Sequence, residues 1–147
     1  MLEIDLAQAL AEIGTILSRA ADPLPVLSRI GASEVENVRG RIRQTKRNPW
    51  GGDWAPWAPS TAQHREHKGN AAQGLLWDEG DLIESIRYAV QYGTVDIGSD
   101  LDYAPYLQFG TQDMPARQFL GWNPSTFPFY EAMLGGWLEH GDERAYL

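Results

Sequence analysis

Side chains that can do acid–base, nucleophilic or metal chemistry occur in this sequence, but their spacing matches no known arrangement for it. Ser99 lacks the Gly-x-Ser-x-Gly elbow of serine hydrolases, and no histidine is near it along the chain. His64 and His67 are spaced for one face of a helix, but no third metal ligand stands at a matching distance. The chain has no cysteine, which excludes thiol nucleophiles and thiolate zinc sites.

Carboxylates concentrate at two places, and a structural interpretation suits both. Asp100 and Asp102 precede a short helix, where capping explains them at lower cost than a cation site. The spacing of the larger group matches no calcium loop and is typical of an acidic turn ahead of a strand. That group is Asp78, Glu79, Asp81 and Glu84. Gly51-Gly52 leads into no Lys-Ser/Thr, so there is no phosphate loop. We therefore predict no catalytic, cofactor or metal site and no enzyme.

Tryptophans stand out instead. Trp50, Trp54 and Trp57 lie in the proline- and glycine-rich segment 48–61, three of the six in the chain. A tryptophan buries roughly 150–250 Å², so this segment must be pinned to the core or to a partner. The three rings are candidate interface anchors. Stacking on sugars and packing in the core stay open as alternatives, and we expect at least one ring to face a partner.

A second aromatic group has helical spacing. Tyr103, Tyr106 and Phe109 recur every three residues and are predicted to share a face of a short helix. Asp102 would cap that helix, and Gly110 would end it in a left-handed conformation. All three aromatics are interface candidates.

The apolar, extended segment 115–120 follows and is predicted to be a third strand. Phe119 within it is an interface candidate. Arg117 is the best single candidate for an interface or a buried ion pair, because an unpaired buried charge is costly.

Helices are predicted at both ends of the chain. Leu6, Leu10, Ile13 and Leu17 form the apolar stripe of a first helix, which must dock on something. Asp22-Pro23 predicts the start of a second helix, with Asp22 as its cap and Pro23 at its first position. This helix runs to about residue 43 and has Glu34 on its charged face. Asn123-Pro124 opens a C-terminal helix, and its last residues, from 139 on, are expected to fray.

Between the helices, alternation predicts a β-hairpin. Tyr88 and Val90 lie on one strand and Val95 and Ile97 on the other, joined by a Gly93-Thr94 turn. Residues 62–74 are polar and small and are predicted to be a mobile loop. The predicted fold class is α+β: N-terminal helices packed on a small, mostly antiparallel sheet, with a long Trp/Pro/Gly-rich loop and a C-terminal helix. We predict one domain over 1–147, divided into 1–45, 46–74, 75–122 and 123–147.

Charge is unevenly distributed. The net charge is −8, and residues 78–147 carry twelve acidic and three basic side chains. Such a balance is unlike that of a dedicated duplex-binding protein. The one basic cluster is predicted either to be a solvated helix end or to face DNA in a channel or an acidic partner. It comprises Arg39, Arg41, Arg43, Lys46 and Arg47. An acidic half and a basic segment also favour head-to-tail self-association.

No secretory signal or membrane-length apolar run is present in the sequence, so we expect a cytoplasmic protein with no membrane partner.

Four motifs in register resemble the virion morphogenesis (tail completion) proteins of tailed phages and prophages. They cover about residues 20–125 and lie at 49–61, at 76–86, at 95–98 with 103–110, and at 115–121. Leu107 and Gln118 depart from the residues usual in the family, as does the thin basic segment around Arg65 and Lys68.

The resemblance implies a structural protein without a cofactor that acts late in phage assembly, at the tail end or the head–tail joint. It implies a homo-oligomer, such as a ring, with other neck or tail proteins as partners and at most non-specific contact with packaged DNA. The protein would be made in the host cytoplasm and end in the virion. Two rivals stay open: a sugar- or cell-wall-binding tail module built on the tryptophans, and a small hydrolase using Asp100, Asp102 or His64.

Overall fold

The computed structural model describes residues 6–142, which form six α-helices and one two-stranded antiparallel sheet. The helices are α1 Leu6–Ala21, α2 Leu24–Gly40, α3 Pro59–Lys68, α4 Asp81–Ser85, α5 Ala104–Phe109 and α6 Phe127–His140. The strands are β1 Arg87–Gln91 and β2 Thr94–Gly98, and short helical turns cover Arg41–Thr45, Ala71–Gln73 and Pro124–Thr126. The α+β class predicted from the sequence is confirmed. Fraying was expected from residue 139 on, but α6 continues to His140, and residues 143–147 lie outside the described part of the chain.

Helix α2 is the central element, and its two halves belong to two separate buried clusters. Its N-terminal half packs on α6 through Val26, Ile30, Tyr130 and Met133. Its C-terminal half and the turn after it pack on α4, α5 and the segment around Phe119. That second cluster contains Val35, Val38, Ile42, Trp54, Leu82, Ile83, Ile86, Ala104 and Phe119. The second predicted helix is confirmed, and both buried clusters form on it.

The hairpin lies against α2, and its turn is one residue from the predicted place. Gln91 pairs with Thr94, so the turn is Tyr92-Gly93, with φ of 51° and 79°. Positive φ at both turn residues is the type I′ arrangement, whose twist matches that of the strands. Gly31 lets the hairpin approach α2, because a Cβ there would come within 2.5 Å of Tyr88 Cδ2.

Two of the three predicted helix caps are wrong. Asn123 does cap the turn before α6, accepting from the backbone N–H of Ser125. Asp22 does not cap α2, whose N-cap position is Pro23. Asp102 does not cap α5 either, because the chain reaches helical geometry one residue later and Tyr103 takes the N-cap position.

Residues 62–74 do not form the predicted loop. Pro59 occupies the first turn of α3, and Gly69 ends the helix with a φ of 79°. The polar residues between them are good helix formers, and their polarity indicates exposure rather than disorder. Arg65 and Lys68 reach from α3 to Asp78, which fastens the helix to the rest of the chain.

The segment 115–120 is extended but is not a third strand, because the sheet within the described residues consists of β1 and β2. Its backbone groups bond to α5 and to side chains instead of to a neighbouring strand. A period-two apolar pattern reports which faces are buried, and it cannot tell whether the hydrogen-bond partner is a strand.

Candidate interaction surface

One side chain, Gln108 on α5, takes the place of a neighbouring strand for the segment 117–120. Its Oε1 accepts from the backbone N–H of Phe119 at 3.1 Å and from that of Leu120 at 3.0 Å. Its Nε2 donates to the carbonyl of Leu120 at 3.0 Å. A side-chain amide has one acceptor oxygen and two donor hydrogens, so this one glutamine satisfies three backbone groups.

Two further side chains fix the same segment from the opposite side. Trp54 Nε1 donates to the carbonyl of Gln118 at 2.9 Å, and Arg41 Nη1 donates to that of Phe119 at 2.7 Å. Phe119 is fully buried beneath them. The segment therefore fixes the end of α2, the helix α5 and the tryptophan-rich loop relative to one another. It contacts α5 on the side opposite the exposed aromatic rings.

Helix α5 points its small and polar residues inward and its aromatic residues outward. Ala104 is buried, whereas Tyr103, Tyr106 and Phe109 are exposed to 42%, 58% and 77%. Tyr106 and Phe109 lie on a short helix as predicted, whereas Tyr103 takes the N-cap position just before it. The rest of the described chain covers them only in part, Tyr103 most and Phe109 least. An exposed aromatic patch of this kind is typical of a binding surface.

Gly110 ends α5 with a φ of 75° and a ψ of 179°, so it is not in the left-handed helical conformation that the sequence predicted. A Cβ at this position would lie 2.7 Å from the backbone nitrogen of Ala116 and 2.8 Å from the carbonyl oxygen of Met114. Glycine is required here for both the positive φ and the close approach of two backbones.

The three loop tryptophans have three different environments. Trp54 is buried in the core, and Trp57 is half-buried with the Arg65 guanidinium carbon 5.3 Å from its ring centroid. Trp50 is exposed, and its ring rests over Gly121, where a Cβ would come within 3.2 Å of it. One loop thus contains a buried, a half-buried and an exposed tryptophan. Their roles in an interface stay predictions.

Arg117 is buried, and its charge is met by carbonyl groups. Its Nε donates to Ala55 at 2.8 Å and its Nη2 to Pro56 at 2.7 Å, which ties the extended segment to the tryptophan-rich loop. Burial lowers the pKa of its guanidinium below the ordinary value. Its role in an interface between chains stays a prediction.

A groove of about 670 Å³ lies beside α5, between α3 and residues 113–117. Trp57 and Tyr103 line it together with Leu76, Leu82, Leu107 and Met114, and its acidic residues are Asp78, Glu79, Asp81 and Asp113. Burial, followed by the charges of Asp81 and Asp78, raises the pKa of Tyr103. The groove therefore combines apolar and aromatic side chains with four carboxylates and two guanidinium groups, those of Arg65 and Arg117.

Asp78 and Glu79 form ion pairs that fasten α3 to the turn before α4. Lys68 donates to Asp78 at 2.9 Å and to Glu79 at 2.8 Å, and Arg65 pairs with Asp78 at 2.8 Å. The bond from Lys68 is the largest cause of a lowered pKa at Asp78. Asp78 and Glu79 lie in a turn ahead of α4, and Asp81 and Glu84 lie within α4, where the sequence predicted a turn ahead of a strand.

The five residues of the basic cluster do not share one surface. Arg39 bonds to Glu36 and to two carbonyls near α4, and Lys46 reaches the carbonyls of Ile42, Gln73 and Leu75. Burial lowers the pKa of Lys46. Arg41 is buried, while Arg47 pairs with Asp53 at the surface and Arg43 is exposed. Contact with DNA or a partner stays a prediction, and the exposed Arg43 and Arg47 are the members placed to make it.

A buried polar network lies between α2 and α6. Its central residue is Glu34, which the sequence predicted on the charged face of α2. Glu34 is buried and pairs with Arg41 at 3.2 Å. Its other oxygen accepts from the Tyr130 hydroxyl at 2.7 Å and from Asn37 at 3.0 Å. Burial, followed by the bond to Glu34, raises the pKa of Tyr130 to about 12. This network joins α2 to α6, and through Arg41 to the segment 117–120.

The chain was compared with known families, curated proteins and solved structures. The model of the phage virion morphogenesis family matches residues 4–135. The chain belongs to this family. No curated protein and no solved structure matches the chain.

One of the motifs that the chain shares with the virion morphogenesis family has a clear structural role. Gln108 and Gly110 belong to the Gln-Phe-Gly motif, and they shape the turn on which the segment 117–120 rests. The sequence predicted Gly110 as the end of the short helix, and Gln108 was not singled out. The signal was available: a glutamine whose two helical neighbours are apolar, followed by an obligatory glycine, indicates a buried polar contact.

The side chains first considered for chemistry remain apart. Ser99 bonds to Ser85 at 2.7 Å, while His64 and His67 are exposed on α3. Residues 6–142 contain no group of three or more carboxylate or imidazole side chains placed to hold a metal ion. None of the helices described there combines the length and apolar character that crossing a bilayer requires.

Proposed function

We propose that this member of the virion morphogenesis family is a non-enzymatic structural protein that completes the tail or joins it to the head late in phage assembly. It acts as a ring-forming homo-oligomer that contacts other neck or tail proteins, first in the host cytoplasm and then in the virion. Family membership supports the assembly role.

The observation that carries the proposal is the outward aromatic face of α5. Tyr103, Tyr106 and Phe109 stay exposed although Gln108, between them, is engaged by the segment behind the helix. The fold provides a rigid support for a helix that leaves Tyr106 and Phe109 more than half exposed. Rigid aromatic side chains in the centre of a surface are typical anchors for a protein partner.

The carbohydrate-binding alternative receives less support from the arrangement of the tryptophans. A sugar platform needs several exposed rings in one plane, and Trp54 is buried with its indole N–H bonded to a backbone carbonyl. Trp57 is half-buried beneath Arg65. Only Trp50 among the three is exposed.

Electron microscopy of a lysate from the encoding phage with this gene disrupted tests the proposal. We expect finished heads beside unjoined or ragged-ended tails, and rescue by the wild-type gene supplied in trans. A Tyr106→Ser, Phe109→Ser double variant should fail to rescue. The matched control is Tyr92→Ser, which removes a fully exposed aromatic at the hairpin tip and should rescue.

Two results would count against the proposal. Intact particles that fail only to adsorb would move the function to the cell surface and favour the sugar-binding module. Full rescue by the α5 double variant, with normal levels of the protein, would remove the aromatic face from the assembly step.

A further inference from the structure

Helix α1 carries an apolar face that the rest of the described chain leaves uncovered. Leu6, Leu10, Ile13 and Leu17 form one stripe and are exposed to 67%, 59%, 52% and 64%. None of the residues of α1 is buried. The sequence led us to expect a docked helix, because helices in proteins are stabilised mainly by packing of an amphipathic face. Within residues 6–142 the stripe stays exposed.

The contacts that fix α1 lie in its last turn. Arg19 Nη1 donates to the carbonyls of Leu138 and Glu139 at 2.9 and 2.7 Å. Trp137 Nε1 donates to the carbonyl of Arg19 at 3.0 Å. These bonds cap the C-terminal end of α6 with a cation, which suits the helix dipole. They hold α1 in place while its stripe faces away.

The residues beside the stripe favour a helix as the covering element. Spacings of four, three and four place the stripe at successive core positions of a heptad repeat. The flanking positions, which carry charges in most coiled coils, hold small or apolar residues here. They are Ala7, Ala9, Gly14, Ile16 and Ala21. A face this broad and this free of charge fits the apolar face of another helix.

A lipid surface is a poorer match for the same face. Helices that lie on membranes carry several lysines or arginines on their polar side. The described residues of α1 include one basic side chain, Arg19, and it is engaged by α6. The charge of the chain as a whole is −8, which anionic lipids would repel.

The same chain offers a matching stripe on the outer face of α6. Phe127 and Leu134 are exposed to 46% and 37%, and Leu138 continues the line with spacings of seven and four. This stripe and the stripe of α1 each run over eleven residue steps, about 16 Å at 1.5 Å per residue. Phe127 and Leu134 both remain exposed within residues 6–142.

We propose that α1 of one copy packs its stripe against the outer face of α6 of a second copy. This inference deepens the proposed function and rests on its assumption that copies of the chain assemble with one another. One helix stripe is small beside the roughly 800 Å² per partner of a stable interface. A closed arrangement in which each copy both gives its α1 and receives one on its α6 meets that need.

Disulfide trapping tests the contact directly, because the natural chain contains no cysteine. Purified full-length Leu10→Cys is mixed with Leu134→Cys under mild oxidation, and a mixed covalent dimer is expected. Ser18→Cys, on the polar side of α1, is the matched control and should give little mixed dimer with Leu134→Cys. Crosslinking mainly between two Leu10→Cys chains would overturn the assignment of α6 as the partner.

Sedimentation velocity supplies the second measurement. The wild-type chain should associate increasingly with concentration, and added salt should favour association because like-charged copies then repel one another less. A Leu10→Gln, Ile13→Gln variant should sediment as a monomer with unchanged circular dichroism, since glutamine is a good helix former. Ser18→Gln should behave as wild type. A wild-type chain that stays monomeric at all concentrations would overturn the proposal.

The two proposals fail in distinguishable ways. If the crosslink is absent but disruption of the gene still yields unjoined tails, the α1 contact is wrong and the assembly role stands. If the crosslink forms but particles without the protein are complete, the chain self-associates as inferred and the assembly role is wrong.

Discussion

Replacing Gln108 with methionine should lower the stability of the protein substantially, although the two side chains have nearly the same length. Methionine fills a similar volume but cannot accept from the backbone N–H groups of Phe119 and Leu120 or donate to the carbonyl of Leu120. The variant therefore separates the hydrogen bonds from the packing.

The magnitude follows from where the three backbone groups lie. Phe119 is fully buried, and an unsatisfied buried N–H costs roughly 1–3 kcal/mol. The two groups on the half-buried Leu120 can find water, so each should lose nearer to about 0.5–1 kcal/mol. We expect a total near 3 kcal/mol, which corresponds to a fall in Tm of about 6–12 °C for a chain of this size.

Thermal unfolding followed by far-ultraviolet circular dichroism measures this effect, and tryptophan fluorescence reports on Trp54, whose indole bonds to the same segment. The control is Gln91→Met, the same substitution at an exposed position at the end of β1. It should change Tm by no more than a degree or so. If Gln108→Met also melts within about 2 °C of wild type, the glutamine does not hold the segment, since about 1 kcal/mol already shifts Tm by 2–4 °C.

Three further predictions concern the buried network and the turn after α5. The pKa of Tyr130 is raised to about 12 from 10, so its contribution to stability is complete below pH 10 and is lost between pH 10 and 12. Tyr130→Phe should flatten the decline of the free energy of unfolding in that pH window, measured by urea titration, and an unchanged slope would contradict the assignment. Arg41→Met should cost about 3–5 kcal/mol by leaving Glu34 buried without its cation, and adding Glu34→Gln should recover part of that loss in a double-mutant cycle. Gly110→Ala should cost about 2–3 kcal/mol by chemical denaturation, because of its φ of 75° and its contact with residue 116. The control Gly40→Ala, in helical geometry with nothing within 4 Å of its Cβ, should be neutral or stabilising, and equal losses at the two glycines would refute the steric argument.

Local signals in the sequence succeeded where a residue acts through its own neighbours. The helical stripes of α1 and α2, the hairpin, the aromatic spacing of α5 and the Asn123 cap were all predicted and are present. Each depends on interactions between residues that are close along the chain, so the sequence alone is enough to predict it. The family could be recognised for the same reason, because its motifs are short and stand in a fixed order.

The caps at Asp22 and Asp102 and the hairpin turn were each predicted one residue away from their places, because local signals fix element boundaries less sharply than elements. The other predictions that failed depended on partners distant in sequence. Gln108 lies eleven and twelve residues from the groups it bonds, and no period in the sequence distinguishes that glutamine from a strand as the partner of segment 115–120. The polar residues of α3 have the composition of a loop, and their contacts with Asp78 fasten the helix. Burial of Glu34 depends on Arg41, one helical face and seven residues away, and on Tyr130 from α6.

The sequence by itself determined the family, the α+β class, the helix and hairpin periodicities, and the aromatic residues of α5. The tertiary structure decided which side chains are free. It moved Arg41 and Trp54 from candidate surface to interior, and it left α1 and the face of α5 exposed. The physical reason is that hydrophobicity along a chain specifies which residues need covering, while only the packing of distant elements decides which of them a single copy covers.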